Sequence, residues 1–195
     1  MHGRIVWFLV LCAVLTGCQL RPPPAPRDSA PLRTPTQTSH TNDEPNAFRL
    51  TSPLVSNGGT LPATFTCDGT SETLPLVWAN PPATTTSYAI VMHHTAAAND
   101  VHWYWVLYDI PADVTQLAQN STGVGSLGTN SVNDRNEYAP PCSKGPGFKT
   151  YTYTIYALSA PPQLTSGAVD RDTLLAAISD TTVASATLDV VYSRP

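Results

Sequence analysis

Charge is scarce in this 195-residue chain: Asp, Glu, Lys and Arg make up 12%, ten basic against fourteen acidic residues, for a formal net charge of -4. No Lys/Arg cluster stands outside the mixed N-terminal stretch, so there is no electrostatic footprint for a polyanion and no nucleic-acid partner is expected. The signatures of turnover are missing as well. There is no Gly-x-Ser-x-Gly elbow, no Gly-rich phosphate loop and no close pair of carboxylates. No Cys-x-x-Cys or His-Glu-x-x-His spacing offers a metal site. These absences leave no catalytic residue, no metal ligand set and no cofactor to assign, and they favour binding over turnover. The longest apolar run, Ile5 to Val14, is too short to span the roughly 30 Å hydrocarbon core of a bilayer.

That run is nevertheless informative. Arg4 supplies a positive n-region, Ile5 to Val14 an apolar h-region, and Leu15, Thr16, Gly17 and Cys18 match the bacterial lipobox. Residues 1–17 therefore read as a lipoprotein signal peptide and Cys18 as the lipidated mature N-terminus; the alternative is an ordinary signal peptide that happens to contain Cys18. Residues 18–45, rich in Pro, Thr, Ser and Asn, cannot bury enough to fold and read as an extended tether. The expected location is the bacterial cell envelope, lipid-anchored and facing the periplasm or the extracytoplasmic side. Two or three acyl chains anchor stably where one does not.

Of the four cysteines, Cys12 leaves with the signal peptide and Cys18 carries lipid, leaving Cys67 and Cys142. In an oxidising compartment this pair is expected to form a disulfide; two buried free thiols are the alternative.

From residue 46 to 195 short apolar or alternating runs recur between turn signals, as in a mainly β domain. Strands are expected near Phe48–Ser52, Thr64–Cys67, Leu76–Trp78, Tyr88–His93, Val101–Ile110, Thr150–Leu158 and Thr187–Ser193. In the sixth, Tyr151, Tyr153 and Ile155 share one face and Thr152, Thr154 and Tyr156 the other. A single helix is expected at Arg171–Ser179, with Asp170 as its N-cap. The fold class is an antiparallel β-sandwich with a few short helices. Gln119 to Glu137, rich in Ser, Asn and Gly, reads as one long surface loop. Asp68, between Cys67 and Gly69, reads as a turn residue bonding backbone amides. Trp78, Trp103 and Trp105 read as packing residues.

The order of landmarks carries more than any one of them. Phe48, Leu50, Thr51, Ser52 and Pro53 come first, followed by Leu61, Pro62, Thr66, Cys67, Asp68 and Gly69, and by Pro75, Leu76 and Trp78. His102 and Trp103 then lead to Ile110 and Pro111, and Tyr138, Pro141 and Cys142 precede Tyr151, Tyr156, Ala157 and Leu158. This succession resembles the phosphatidylethanolamine-binding protein family, most closely its bacterial, Raf-kinase-inhibitor-like branch. The resemblance implies a sandwich of two sheets with a small anion-binding pocket at one end. His102 matches the family's pocket histidine, Pro141 and Cys142 its Gly-Pro-rich loop, and Tyr151 the tyrosine of its His-Arg-Tyr sequence. Where the family has Asp-Pro-Asp, this chain has His93, His94 and Thr95, and the His-Arg pair is replaced by Lys149 and Thr150. Exchanging carboxylates for imidazoles and adding Lys149 makes such a pocket more welcoming to anions.

The ligand-binding set expected from these arguments is His93, His102, Pro141, Lys149 and Tyr151. His93 and His94 are adjacent on a strand and point to opposite faces, so at most one of them enters the pocket. Three functions follow in order: a binding protein for a small anionic or phosphorylated ligand, a protein-interaction domain inhibiting a protease or kinase as the resemblance implies, and a metal-binding protein built on the His93, His94 and His102 cluster.

Overall fold

The computed structural model describes residues 46–194 apart from 99, 145 and 165–167. The signal peptide, Cys18 and the tether lie outside the described residues.

Among the described residues nine strands form two sheets. The smaller contains β1 (Arg49–Thr51), β3 (Leu76–Ala79) and β6 (Gln116–Leu117), in the order β1-β3-β6. The larger contains β2 (Gly59–Thr60), β4 (Ser87–Ala97), β5 (Asp100–Pro111), β7 (Ser126–Leu127), β8 (Lys149–Leu158) and β9 (Thr182–Tyr192), in the order β2-β9-β8-β4-β5-β7. All recorded pairings are antiparallel except β2 with β9. The fold is a mainly β sandwich, as the alternating runs require.

The larger sheet is covered on both faces. Towards the smaller sheet, Ile90, Met92, Tyr151, Tyr153 and Ile155, each fully buried, pack with Leu76 and Trp78 in the main core. On the reverse face Ala89, Val91, Val106 and Leu158 meet Leu174 and Ile178 of α1 (Arg171–Ile178) in a second core. The Asp170 carboxylate accepts a hydrogen bond from Thr173 N at 2.8 Å, capping α1 as its sequence predicts. Thr154 is buried and Tyr156 packs into the second core, so both faces of β8 are interior.

Three expectations are corrected. Residues 64–67 form no strand: a 3-10 turn at Ala63–Phe65 follows Pro62, and Thr66 Oγ1 both donates to Ala63 O at 2.9 Å and accepts from Asp68 N at 3.2 Å. Such local side-chain bonds compete with a ladder and win here. Strand β9 begins at Thr182, five residues before the apolar alternation starts, because pairing with β8 extends to Leu158. Residues 119–137 are no plain surface loop. They contain β7, and beyond it Gly128 N and Ser131 N bond to Val106 O and Trp103 O, continuing along β5. Gly128 is obligatory there, since a Cβ would lie 2.3 Å from Val169 O.

Candidate functional site

Strands β4, β5 and β8 lie side by side, and at one end their side chains open into a cleft of about 290 Å³. His94 comes from β4, His102 and Tyr104 from β5, and Lys149 and Tyr151 from β8; Cys142 and Lys144 close it from the segment before β8. The chain register explains the gathering, because His94 sits opposite His102 while β8 runs along the other edge of β4.

The β4–β5 pairing skips a residue between Met92 and His93: Trp105 faces Met92, Trp103 faces His93, and Tyr104 is the extra residue of a bulge. Bulges redirect side chains, and here Tyr104 and Trp105 both turn to the main core, although neighbours on a regular strand alternate. Tyr104 meets Tyr151 edge to face with centroids 5.3 Å apart, and His94 lies 5.4 Å from the Tyr151 ring.

The polar groups are unevenly satisfied. His94 donates from Nδ1 to Thr150 O at 2.8 Å. A carbonyl only accepts, so Nδ1 carries the proton and Nε2 gains one only when the ring becomes cationic. His102 Nε2 lies 3.1 Å from an Asp100 carboxylate oxygen, an exposed pair at the rim. Tyr151 is fully buried, and its hydroxyl has no hydrogen-bond partner among protein groups. The hydroxyls of Tyr104 and Ser143 lie close enough to influence its titration, yet neither reaches hydrogen-bonding geometry, and Ser143 Oγ is itself buried and unpartnered. Burial first, then the neighbouring Tyr104, holds the Tyr151 hydroxyl far above the ordinary range, so it stays a neutral donor.

Of the residues expected from sequence, His102, Lys149 and Tyr151 share this cleft. Pro141 does not line it. It is buried alongside, its carbonyl accepting from Cys67 N at 3.0 Å. Cys142, which does line the cleft, is bonded to Cys67. His93 is a correction. It lies opposite Thr152 on the reverse face, whereas the cleft takes its neighbour His94. Lys144 was missed, a lone lysine in a Pro/Gly-rich segment with no periodicity to orient it.

His93 has a different consequence. Burial, then the Arg171 guanidinium, pushes its imidazole below the usual range; Asp189 opposes this and His94 adds to it. The unfolded chain therefore binds a proton at a pH where the native state does not, and stability contributed by neutral His93 is lost as pH falls below about 6.5. Replacing His93 with Gln should flatten the dependence of unfolding free energy on pH between about 5 and 7, measured by urea denaturation. An unchanged slope would exclude His93 as its source.

Asp68 also differs from expectation. Its carboxylate accepts from Tyr192 Oη and Arg194 Nη2, both at 2.6 Å, and so clasps the end of β9 instead of backbone amides. These bonds hold its carboxyl below the usual range. Among the described residues no group of three His, Cys, Asp or Glu side chains is placed to hold a metal ion.

The family model described as phosphatidylethanolamine-binding protein matches residues 51–193. The chain belongs to the phosphatidylethanolamine-binding protein family. Among its relatives is a UPF0098 protein of Methanothermobacter thermautotrophicus, 33% identical over 121 residues, covering 60% of this chain and 80% of the relative. A Mycobacterium tuberculosis relative whose name describes it as a lipoprotein, LppC, is 29% identical over 136 residues, covering 68% of this chain and 67% of its own. The crystal structure of the phosphatidylethanolamine-binding protein homologue CT736 of Chlamydia trachomatis shares the fold with a TM-score of 0.71 at 24% identity, over 77% of this chain and 99% of that one. Escherichia coli YbcL does so with 0.69 at 21%, over 76% and 99%.

Proposed function

We propose that this protein is a lipid-anchored binding protein whose cleft takes a small oxyanion, phosphate or sulfate in size, either free or as the headgroup of a larger molecule. One observation carries the reading: His94, His102, Lys144 and Lys149 converge with Tyr151, whose buried hydroxyl has no partner among the described residues, on a cleft whose described lining contains no carboxylate. An oxyanion would accept from Tyr151 and take charge-assisted bonds from the lysines. Asp100 holds His102 at the rim and competes with the anion for it.

The test is a titration of melting temperature with sulfate, which does not itself titrate in this range, at matched ionic strength. At ten times its Kd, sulfate should stabilise the wild type by about 1.4 kcal/mol. Lys149→Met keeps the apolar stem and should lose most of the effect, as should His94→Ala. Asp100→Asn should increase it. Equal stabilisation of all four proteins would place sulfate on the surface at large and dismiss the cleft. Repeating the titration with phosphate, glycerol phosphate and vesicles containing phosphatidylglycerol would separate a free anion from a lipid headgroup.

The anchor is supported by the lipobox at Cys18 and by the lipoprotein name of the mycobacterial relative. Cys18→Ala should abolish labelling by radioactive palmitate and release the protein from the membrane fraction. Retained label in that variant would remove the anchor from the proposal.

A further inference from the structure

The bulge at Tyr104 has a second product. Tyr104 lines the cationic cleft, and the next residue, Trp105, lines a separate and larger cavity of about 460 Å³. This cavity lies between the two sheets, under residues 120–125 and β7. Its apolar surface comes from Trp105 and Leu107 of β5, Leu117 of β6, Val124 and Leu127. No Asp, Glu, Lys, Arg or His lines it; its polar groups are hydroxyls, an amide and the indole.

Two of the residues that line it carry polar groups without a partner among the described residues. Trp105 is only 2% exposed and Thr73 only 7%, and neither Trp105 Nε1 nor Thr73 Oγ1 has a hydrogen-bond partner. An indole N–H only donates, so it needs an acceptor. Buried donors are paired in native proteins with few exceptions, and each exception asks for an explanation. Trp103 makes the contrast: its Nε1 donates to Thr129 O at 2.9 Å. An apolar cavity with a few convergent polar groups, of this volume, is the usual form of a small-molecule site. In the roof, Asn120, Gly123 and Gly125 hold left-handed backbone at φ 53°, 76° and 70°, and a Cβ on Gly125 would lie 2.5 Å from Tyr108 O.

We infer that this cavity is a second binding site, for a small uncharged molecule with an apolar body and a carbonyl or ether oxygen that accepts from Trp105 Nε1. A charged ligand is disfavoured because no opposite charge lines the cavity to compensate its desolvation. The site is separate from the cationic cleft, and it stands whether or not that cleft binds anions.

The test follows the indole N–H resonances of the uniformly 15N-labelled full chain, with the Trp105 signal assigned by its loss in Trp105→Phe. Acetophenone, toluene and benzoate serve as probes: an aromatic ketone, the same ring without an acceptor, and a charged analogue. Millimolar acetophenone should move the Trp105 resonance and leave that of Trp103 in place, with binding about tenfold tighter than toluene's, the worth of one hydrogen bond. Benzoate should leave it unmoved. In Trp105→Phe the preference for ketone over toluene, followed by the ligands' own resonances, should vanish, and Thr73→Val provides a second, nearly isosteric change that should reduce it. A Trp105 signal indifferent to acetophenone at saturation would overturn the site. Equal affinity for acetophenone and toluene would overturn the acceptor, and equal affinity for benzoate the uncharged class.

Discussion

Replacing Cys67 and Cys142 together with alanine should lower the unfolding free energy by about 4 kcal/mol. The two residues are 75 positions apart in sequence, and closing a loop of that size removes about this much chain entropy from the unfolded state. For a domain of this size the loss corresponds to a fall in melting temperature of roughly 10 °C. The effect should not be confined to stability. The disulfide holds the residues around Cys142 against the turn that follows the 3-10 helix, where Cys67 N already bonds to Pro141 O. Ser143 and Lys144 follow directly, and both Cys142 and Lys144 line the cationic cleft. The double variant should therefore also bind sulfate more weakly than the wild type at a temperature where both are folded. Reductant should lower the wild-type melting temperature to that of the variant and leave the variant unaffected. A wild type that melts at the same temperature with and without reductant would contradict the covalent link.

Asn130→Ala should cost about 3 kcal/mol, an unusual penalty for a residue within a polar loop. Asn130 is completely buried and uses both ends of its amide. Its Oδ1 accepts from Val132 N at 2.9 Å and Asn133 N at 3.0 Å, while Nδ2 donates to Arg135 O at 2.9 Å and Glu137 O at 3.3 Å. One side chain thus replaces a ladder for a whole turn of chain, and its loss strands several backbone groups at once. Asn130→Asp is the sharper variant. It has nearly the same shape, but a carboxylate oxygen would face the carbonyls of Arg135 and Glu137, so it should be no better than alanine although an isostere is usually mild. Because Ser131 and Val132 line the cleft, both variants should weaken sulfate binding as well as stability. Chemical denaturation of the three proteins decides the matter: an Asp variant as stable as the wild type would show that the amide donors carry little.

The cysteine pair and Asn130 mark the limits of what pattern reveals. The cysteine pair is legible because the lipobox-like run sets Cys12 and Cys18 aside, and the choice of partner is then forced. Asn130 is not legible, since Ser/Asn/Gly-rich segments look alike whether they float or are pinned by a buried amide. The same divide runs through the fold. Alternation along Tyr151, Tyr153 and Ile155, and Asp170 ahead of Leu174 and Ile178, foretell β8 and α1 because local period and capping are properties of a few consecutive residues. The early start of β9 escapes because it depends on a partner strand elsewhere in the chain, and the turn at Ala63–Phe65 escapes because local bonds through Thr66 override a β-branched run.

In the cleft, His102, Lys149 and Tyr151 follow from the order of landmarks, whereas the choice between His93 and His94 does not. Alternation separates adjacent histidines onto opposite faces but is silent on which face is which. An amphipathic strand would answer that by its polar side, yet in β4 every residue from Ser87 to Met92 is buried, because one face meets the smaller sheet and the other meets α1. Only the register of Met92 against Tyr153, and of His93 against Thr152, turns His94 into the cleft. Likewise the bulge at Tyr104 sets two neighbours on one side of β5 and so opens a polar cleft and an apolar cavity side by side. What the sequence alone determined was six of the nine described strands, the helix, the cysteine pair and the histidines and lysines available to a cleft, all local or compositional properties. Which of those residues meet was decided by sheet register, a bulge and the covering of both faces, since each arises from pairing between segments that no short stretch of chain contains.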